Sequence, residues 1–173
     1  MEAKINEGPD GLMLDASGRM SRYSPLHRDD LLVYVSGDLS ASGPLTEPVI
    51  TSDLVVDRGE LDLKIIQAAN SIPTLNISEG DEITEVRGGP RLNMKVRVPN
   101  QFFIRGYGMD SEWRGDMAVN GYSTLPSLPG SLAPVRGYFE IFSREFQFTG
   151  GNITFIGGTN PNLNLGLNNK GPK

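Results

Sequence analysis

A polar stretch in the second half of the chain, Phe103–Met117 (FIRGYGMDSEWRGDM), holds residue types that an active site would need. It contains three acidic residues, two arginines, a G-x-G and the single tryptophan of the chain. In a dinucleotide-binding fingerprint, the G-x-G is followed by a third glycine and a helix. Here Ser111 occupies the position of the third glycine, and no helical pattern follows it. The stretch therefore lacks the pattern of a dinucleotide site.

The three acids of this stretch, Asp110, Glu112 and Asp116, are a candidate site for a divalent cation, because such ions bind carboxylate oxygens. However, Asp116 has a counterpart at Asp38, in VSGDLSA, where the other two acids are missing. An aspartate that recurs alone after a glycine is typical of a turn or a bulge. The sequence thus favours a structural role for Phe103–Met117, as a bend and the start of a new unit. Its tryptophan is predicted to be a half-buried anchor at the rim of a sheet.

The rest of the chain offers few groups for catalysis. His27 is the single histidine, and the sequence has no cysteine and no G-x-S-x-G. A cysteine nucleophile, a thiolate metal site and a histidine cluster for zinc therefore have no candidate residues. A pair of carboxylates for glycoside cleavage stays open, although no spacing of the acids favours it. The sequence predicts a protein that is not an enzyme, with no cofactor and no metal.

The composition is that of one folded domain. A chain of 173 residues with 38% hydrophobic and 21% charged residues can bury a sizeable interior. A net charge of −5 with scattered arginines disfavours a nucleic-acid partner. No apolar run approaches the roughly 20 residues that a membrane-spanning helix needs. Because the N-terminus, MEAKINEGPDGL, lacks the layout of a secretion signal, we expect either a cytosolic protein or an internal piece with an added Met1.

Apolar and polar residues alternate in short segments between frequent glycines and prolines. In ELDLKI (60–65) and RLNMKVRV (91–98), every second residue is apolar. Period two over many short segments predicts strands with one apolar face and one solvated face. Antiparallel sheets tolerate that arrangement, so the sequence predicts an all-β protein. Residues 66–89 have mixed polarity and are predicted to be a long connection.

The chain also contains an internal repeat. Residues 37–63 align with residues 115–141 at an offset of 78 positions, without a gap and with eight identities. The identities include the Arg-Gly pair at 58–59 and 136–137. Self-similar β units predict an elongated stack in which neighbouring units complete each other's apolar face, and a chain that continues beyond at least one end.

One sheet cannot hide such an apolar face without a second layer. Two solutions stay open from the alternation alone. The sheet either folds onto itself as a closed sandwich with a dry core, or it curls into a trough that holds an apolar ligand. For an arbitrary β sequence, the closed sandwich is favoured.

The second half of the chain resembles the C-terminal domain of the TamB family. The resemblance rests on VPNQFFIRGYGMDSEWRGDMAVNG (98–121) and RGYFEIFSREFQFTGGNITFIGG (136–158), followed by a proline and an alternating strand at 161–167. Family members carry similar segments, in which tryptophan, Arg-Gly pairs and phenylalanines stand at fixed offsets. The first half, SPLHRDDLLVYVSGDLSASGP (24–44), is similar to the preceding part of that domain more loosely.

The resemblance implies a fold and a location. The implied fold is a single TamB-type β domain over 1–173: an elongated, curled, mostly antiparallel sheet, a β-taco-like trough with an apolar concave face. The implied location is the periplasm, as an excised piece of a long protein whose inner-membrane anchor lies elsewhere. In that protein the outer-membrane subunit TamA binds the C-terminal end. This piece stops soon after Leu167, so the TamA-binding portion is expected to be missing from it.

Three functional hypotheses follow. The leading one is a hydrophobic groove for phospholipid or another acyl-chain ligand, which carries lipid between the inner and outer membranes and supports outer-membrane biogenesis. The second is a chaperone-like module that binds unfolded outer-membrane protein strands for TamA-assisted insertion. The third is a glycan-acting enzyme or adhesin on a β scaffold. The groove candidates share the apolar side of the alternation and are Leu31, Val33, Val35, Leu61, Leu63, Leu92, Met94, Val96, Val98, Phe139, Ile141, Phe146, Phe148 and Phe155.

Overall fold

The structure is a computed structural model that describes residues 2–8, 11–25, 27–64, 88–158 and 160–169. These residues form ten strands and one sheet. The strands are β1 (Glu2–Gly8), β2 (Gly11–Tyr23), β3 (His27–Arg28), β4 (Leu31–Pro44), β5 (Val49–Asp62), β6 (Arg91–Gly106), β7 (Met109–Tyr122), β8 (Leu125–Ile141), β9 (Arg144–Gly157) and β10 (Asn162–Asn169). The predicted connection at 66–89 lies outside the described residues, except for its last two.

The strands follow one another across the sheet nearly in chain order. The path is β1-β2-β4-β5-β6-β7-β8-β9-β10, and the two-residue β3 pairs with β4. All described neighbours are antiparallel except β5 and β6, which run parallel. The prediction of an all-β fold with a mostly antiparallel sheet is therefore confirmed.

The curvature differs from the prediction. The sheet is neither closed nor strongly curled, and β1 and β10 form its two edges. The correction has a physical reason: alternation determines which side chains share a face, whereas curvature depends on twist and on bulges. Within the described residues there is a single layer, which corresponds neither to a closed sandwich nor to a deep trough.

Strand register collects the apolar side chains on one face, which we call the apolar face. Residues paired across neighbouring strands point to the same side of a sheet. Leu54 of β5 is paired with Val96 of β6, and Val96 is paired with Met117 of β7. Applied from strand to strand, these pairings extend the apolar face over the sheet. The opposite side, which we call the charged face, carries the arginines and carboxylates.

A row of register shifts crosses the middle of the sheet. Six of the strand pairs contain one, for example between Tyr34 and Val35 in β4 and between Glu112 and Trp113 in β7. Such irregularities bend a strand and increase its local twist. The buried apolar residues lie close to this row, where a bend brings side chains of the apolar face together. They are Val35, Leu54, Val56, Val98, Ile104, Trp113 and Leu132.

Candidate lipid-binding face

The apolar face has two regions of different character. Around the row of register shifts, seven side chains are buried and pack with one another; we call them the packed region (Val35, Leu54, Val56, Val98, Ile104, Trp113 and Leu132). Half-buried apolar side chains from β2 to β10 surround this region. The protein therefore fills this part of the apolar face with its own side chains.

Trp113 is the centre of the packed region. Its side chain is fully buried, and its ring meets Phe148 edge-on with centroids 5.7 Å apart and an interplanar angle of 65°. The indole N–H donates a hydrogen bond to Ser111 Oγ (2.8 Å), and this hydroxyl donates to the carbonyl of Ile104 (3.2 Å). The single polar atom of the ring is thus satisfied inside the core. The prediction of a half-buried tryptophan at a sheet rim is wrong, because β8 and β9 extend the sheet beyond Trp113 and cover it.

The second region of the apolar face lies on β1, β2 and β4 and has small side chains. Ala3 is paired with Ala16, and Ala16 is paired with Ala41, so three alanines form a row across three strands. A cavity of about 620 Å³ lies against this row, and its lining also includes Met20 and Leu39. Ligand pockets are typically about 300 to 1,000 Å³ in volume. We call this part of the apolar face the alanine-lined region.

Strand pairing and packing place the predicted groove candidates on the apolar face. Val35 and Val98 belong to the packed region, and Phe148 contacts Trp113. Ile141, at the end of β8, is exposed. The remaining candidates are half-buried: Leu31, Val33, Leu61, Leu63, Leu92, Met94, Val96, Phe139, Phe146 and Phe155. Whether they contact a ligand stays a prediction.

Sequence reasoning missed two sets of residues on this face. The buried Leu54 and Val56 alternate in DLVVD and carried the same signal as the chosen candidates. The alanine row carried a weaker signal, because Ala16 alternates with Leu14 and Leu12 but is too small to stand out as apolar. The cavity depends on the register of β1, β2 and β4, which no local pattern reveals.

The acids of Phe103–Met117 lie on the charged face, and two of them, Asp110 and Glu112, contact basic or backbone groups. Asp110 accepts a hydrogen bond from Arg105 Nε (3.3 Å). Glu112 is buried and accepts from the backbone N–H of Gln101 (2.9 Å) and from Arg136 Nε (2.6 Å). No group of acids or histidines in the described part of the chain is arranged to hold a metal ion.

Glu112 stabilises an irregular segment of β6. Gln101 has a φ of 57° and lies where β6 shifts register against β7. The Gln101 N–H, more than the Arg136 guanidinium, holds the pKa of Glu112 below its usual value, against the opposing effect of burial. The interaction of this carboxylate is therefore structural: it satisfies a backbone group that the bulge would otherwise leave without a partner.

Further ion pairs between neighbouring strands lie on the charged face. Arg19 binds Asp38 through two hydrogen bonds (2.8 and 3.1 Å), and Arg97 binds Asp53 (3.0 Å). These pairs are largely exposed, so each contributes little to stability. Opposite charges on paired strands do favour one register over its neighbours, and a slip by one residue would turn the apolar face toward water.

The comparison with protein families agrees with these features. A family model described as TamB C-terminal domain matches residues 9–171, and no curated protein matches the chain. TamB proteins are anchored in the inner membrane and have periplasmic domains, and the family serves transport and assembly rather than catalysis. Its members work with TamA in outer-membrane protein assembly. No helix among the described residues is long and apolar enough to cross a membrane.

Because the matched range covers nearly the whole sequence, the chain belongs to the TamB family.

Proposed function

We propose that the apolar face binds the acyl chains of phospholipid, as one segment of a path for lipid between the inner and outer membranes. The observation that carries this proposal is the alanine-lined region: a cavity of about 620 Å³ that adjoins an apolar face spanning the whole sheet. Transfer of each CH₂ group of an acyl chain from water to such a surface contributes about 0.8 kcal/mol.

The packed region and the alanine-lined region have different parts in this proposal. The packed region has no free space for a hydrocarbon tail, because Trp113 and its neighbours are buried by the protein itself. A ligand therefore binds over the alanine row and over the adjoining half-buried residues Leu39, Ile50 and Met94. The packed region serves as the support that holds these strands in register.

An elongated sheet belongs to this proposal as well. Each sheet edge is unpaired among the described residues, so further units of a longer chain can extend the apolar face from either side. The domain then acts in the periplasm as part of an anchored protein, and TamA receives its cargo at the outer membrane.

Lipid capture by a cavity-filling variant tests the proposal. The purified chain is incubated with fluorescent phospholipid, separated from free lipid and analysed by native mass spectrometry. Ala16→Leu places a larger side chain in the cavity, and we expect it to reduce captured lipid at least about tenfold, the effect of losing two buried CH₂ groups. The matched control is Ser42→Leu, which adds a leucine to β4 on the charged face, outside the lining of the cavity. Equal capture by both variants and the wild-type chain would refute the acyl-chain site.

A second candidate function has one supporting observation. The edge strand β10 has the sequence NLNLGLNN, with no charged residue and no proline, whereas natural edge strands usually carry such residues to prevent pairing. We propose as the alternative that β10 templates an incoming strand of an unfolded outer-membrane protein. A photoreactive group at Asn168 should then cross-link to such strands, and Leu165→Lys should abolish the cross-link. Cross-linking that is unchanged by Leu165→Lys would contradict this alternative.

No comparable observation favours a glycan-acting enzyme or adhesin. Two acids of Phe103–Met117 already have basic partners, because Asp110 is bound to Arg105 and Glu112 is bound to Arg136.

A further inference from the structure

Two neighbouring hairpin turns at one end of the sheet expose aromatic side chains. Tyr107, in the turn between β6 and β7, is 51% exposed. Phe142, in the turn between β8 and β9, is 92% exposed. The turns lie side by side, because the N–H of Glu140 donates a hydrogen bond to the carbonyl of Gly108 (2.8 Å). We call Tyr107, Ile141 and Phe142 the aromatic tip.

The backbone of these turns is unfavourable for aromatic residues. Tyr107 and Phe142 have φ angles of 48° and 49°, and Ser143, which follows Phe142, has a φ of 57°. Two-residue hairpin turns of this kind favour asparagine and glycine, because a positive φ brings the Cβ of other residues against the backbone. Three of the five non-glycine residues with positive φ in the described chain belong to these two turns.

Folding of the domain does not account for the aromatic tip. The Phe142 side chain is almost fully in water, so it contributes little packing in return for its unfavourable backbone. Exposed backbone strain and exposed apolar area at the same position indicate contact with something outside the domain. The apolar face also reaches this end of the sheet, where Phe139 is paired with Phe146.

We propose that the aromatic tip inserts into the interfacial region of a lipid bilayer. Turns that carry isolated aromatic rings can penetrate a fluid bilayer. They are less suited to the flat surface of another protein. Tyrosine is enriched at membrane interfaces, and the exposed Arg144, next to the tip, can contact phosphate groups while its stem stays in the apolar layer. The chain is acidic overall, with a net charge of −5, so burial of apolar rings rather than charge attraction drives this contact.

This inference goes beyond the proposed function and does not require it. A membrane contact at this end would place the apolar face next to the bilayer, where lipid can enter or leave. The contact exists whether or not the alanine-lined region binds acyl chains.

Flotation with vesicles of zwitterionic phosphatidylcholine tests the proposal. The full chain should float with the vesicles, also at high salt, and Phe142→Asn should reduce the bound fraction about tenfold to a hundredfold, as expected for loss of one buried phenylalanine. Asparagine tolerates a positive φ, so this variant should keep or increase its thermal stability, and a loss of binding cannot then be due to unfolding. The matched control is Leu125→Asn, which removes a 49% exposed side chain at the opposite end of the sheet and should leave flotation unchanged.

A fluorescent probe tests insertion directly. Phe142→Trp places an indole in the aromatic tip, while the single native tryptophan, Trp113, is fully buried and gives a constant background. Brominated acyl chains in the vesicles should quench Phe142→Trp and should not quench Leu125→Trp. Three results would each overturn the proposal: no flotation of the wild-type chain, loss of flotation at high salt, or flotation of Phe142→Asn equal to that of the wild-type chain. These results would also be expected if the tip bound a protein instead of a bilayer.

The failure of this inference is distinguishable from the failure of the acyl-chain site. Ala16→Leu is expected to lose lipid capture and to keep vesicle flotation. Phe142→Asn is expected to lose flotation and to keep capture of lipid presented in detergent.

Discussion

The packed region and the alanine-lined region lie on the same face of the same sheet and obey the same alternation. They differ in side-chain volume. Valine, leucine, isoleucine and tryptophan meet around the row of register shifts and exclude water, whereas Ala3, Ala16 and Ala41 leave a cavity of about 620 Å³. The period of the sequence therefore decides which side a residue faces, and its volume decides whether that side is sealed or can bind a ligand.

A smaller difference separates two equivalent positions that lie just before the repeat segments. Val35 and Trp113 are 78 residues apart, and each directly follows the register shift in its strand pair. The backbone irregularity is thus alike in the β4–β5 and β7–β8 pairs, while the buried side chain beside it is smaller in one pair and larger in the other. The volume of the side chain at this position can therefore change without a change in the pairing of the strands.

The largest expected effect is removal of the centre of the packed region. Trp113→Ala should lower the free energy of unfolding by about 3 to 5 kcal/mol, because it leaves a cavity and the Ser111 hydroxyl without its donor. Denaturant titration followed by circular dichroism measures the change. Trp113→Phe, which keeps most of the ring, should cost less. A loss below about 1 kcal/mol for Trp113→Ala, the cost of a surface change, would mean that this region does not hold the sheet together.

The next effect concerns the buried carboxylate behind the packed region. Glu112→Gln should lower the free energy of unfolding by about 1 to 3 kcal/mol at neutral pH, because a charged acceptor of the Gln101 N–H and the Arg136 guanidinium is lost. Denaturant titration at a series of pH values measures it.

The pH dependence of this effect follows from the lowered pKa of Glu112, caused first by the Gln101 N–H and then by Arg136. In the unfolded chain the carboxyl group titrates near its ordinary value of about 4.3. Its contribution to stability is therefore fully present above that pH and is lost as the pH falls through the lower pKa of the folded state. The wild-type and Glu112→Gln curves should converge in acid. Parallel curves over the whole range would contradict this role of Glu112.

A smaller change in stability is expected when a larger side chain is added to the alanine-lined region or to the packed region. Ala16→Leu should change stability by less than about 1 kcal/mol, since the added side chain enters free space, whereas Leu132→Phe in the packed region should cost about 1 to 3 kcal/mol by overpacking. Thermal unfolding of both variants gives the comparison. Equal destabilisation would show that the alanine-lined region is as tightly filled as the packed one.

The smallest expected effect concerns Ser52, which lies between the packed region and the alanine-lined region. Ser52 is buried on the apolar face beside Leu39 and Met94, and its hydroxyl has no hydrogen-bond partner among the described residues. Ser52→Ala removes an unsatisfied polar atom, so its stability should stay equal or rise by up to about 1 kcal/mol. Denaturant titration resolves the sign. A clear loss of stability would indicate that the hydroxyl has a partner in solution.

Alternation predicted the composition of the apolar face well. Leu92, Met94, Val96 and Val98 all lie on it, because period two in the sequence is period two in space. The burial of Trp113 was not predictable in this way. Its neighbours in sequence are charged and point to the opposite face, and its cover comes from Phe148, two strands away. The alanine row likewise depends on three strands meeting in register, and residue types alone carry no information about that.

The parallel pairing of β5 with β6 has a consequence for the order of folding. All the remaining neighbouring pairs on the sheet path are antiparallel and lie close together in the sequence. In the β5–β6 pair, by contrast, Val49 pairs with Arg91, 42 positions later in the chain. Closing a long segment costs conformational entropy before any contact repays it, so this junction is expected to form late and to limit the folding rate. The halves on either side can assemble first from local hairpins. A protein that is threaded across a membrane and folds as it emerges would thus form the two halves of its sheet separately. It would then join the two halves at the β5–β6 pair.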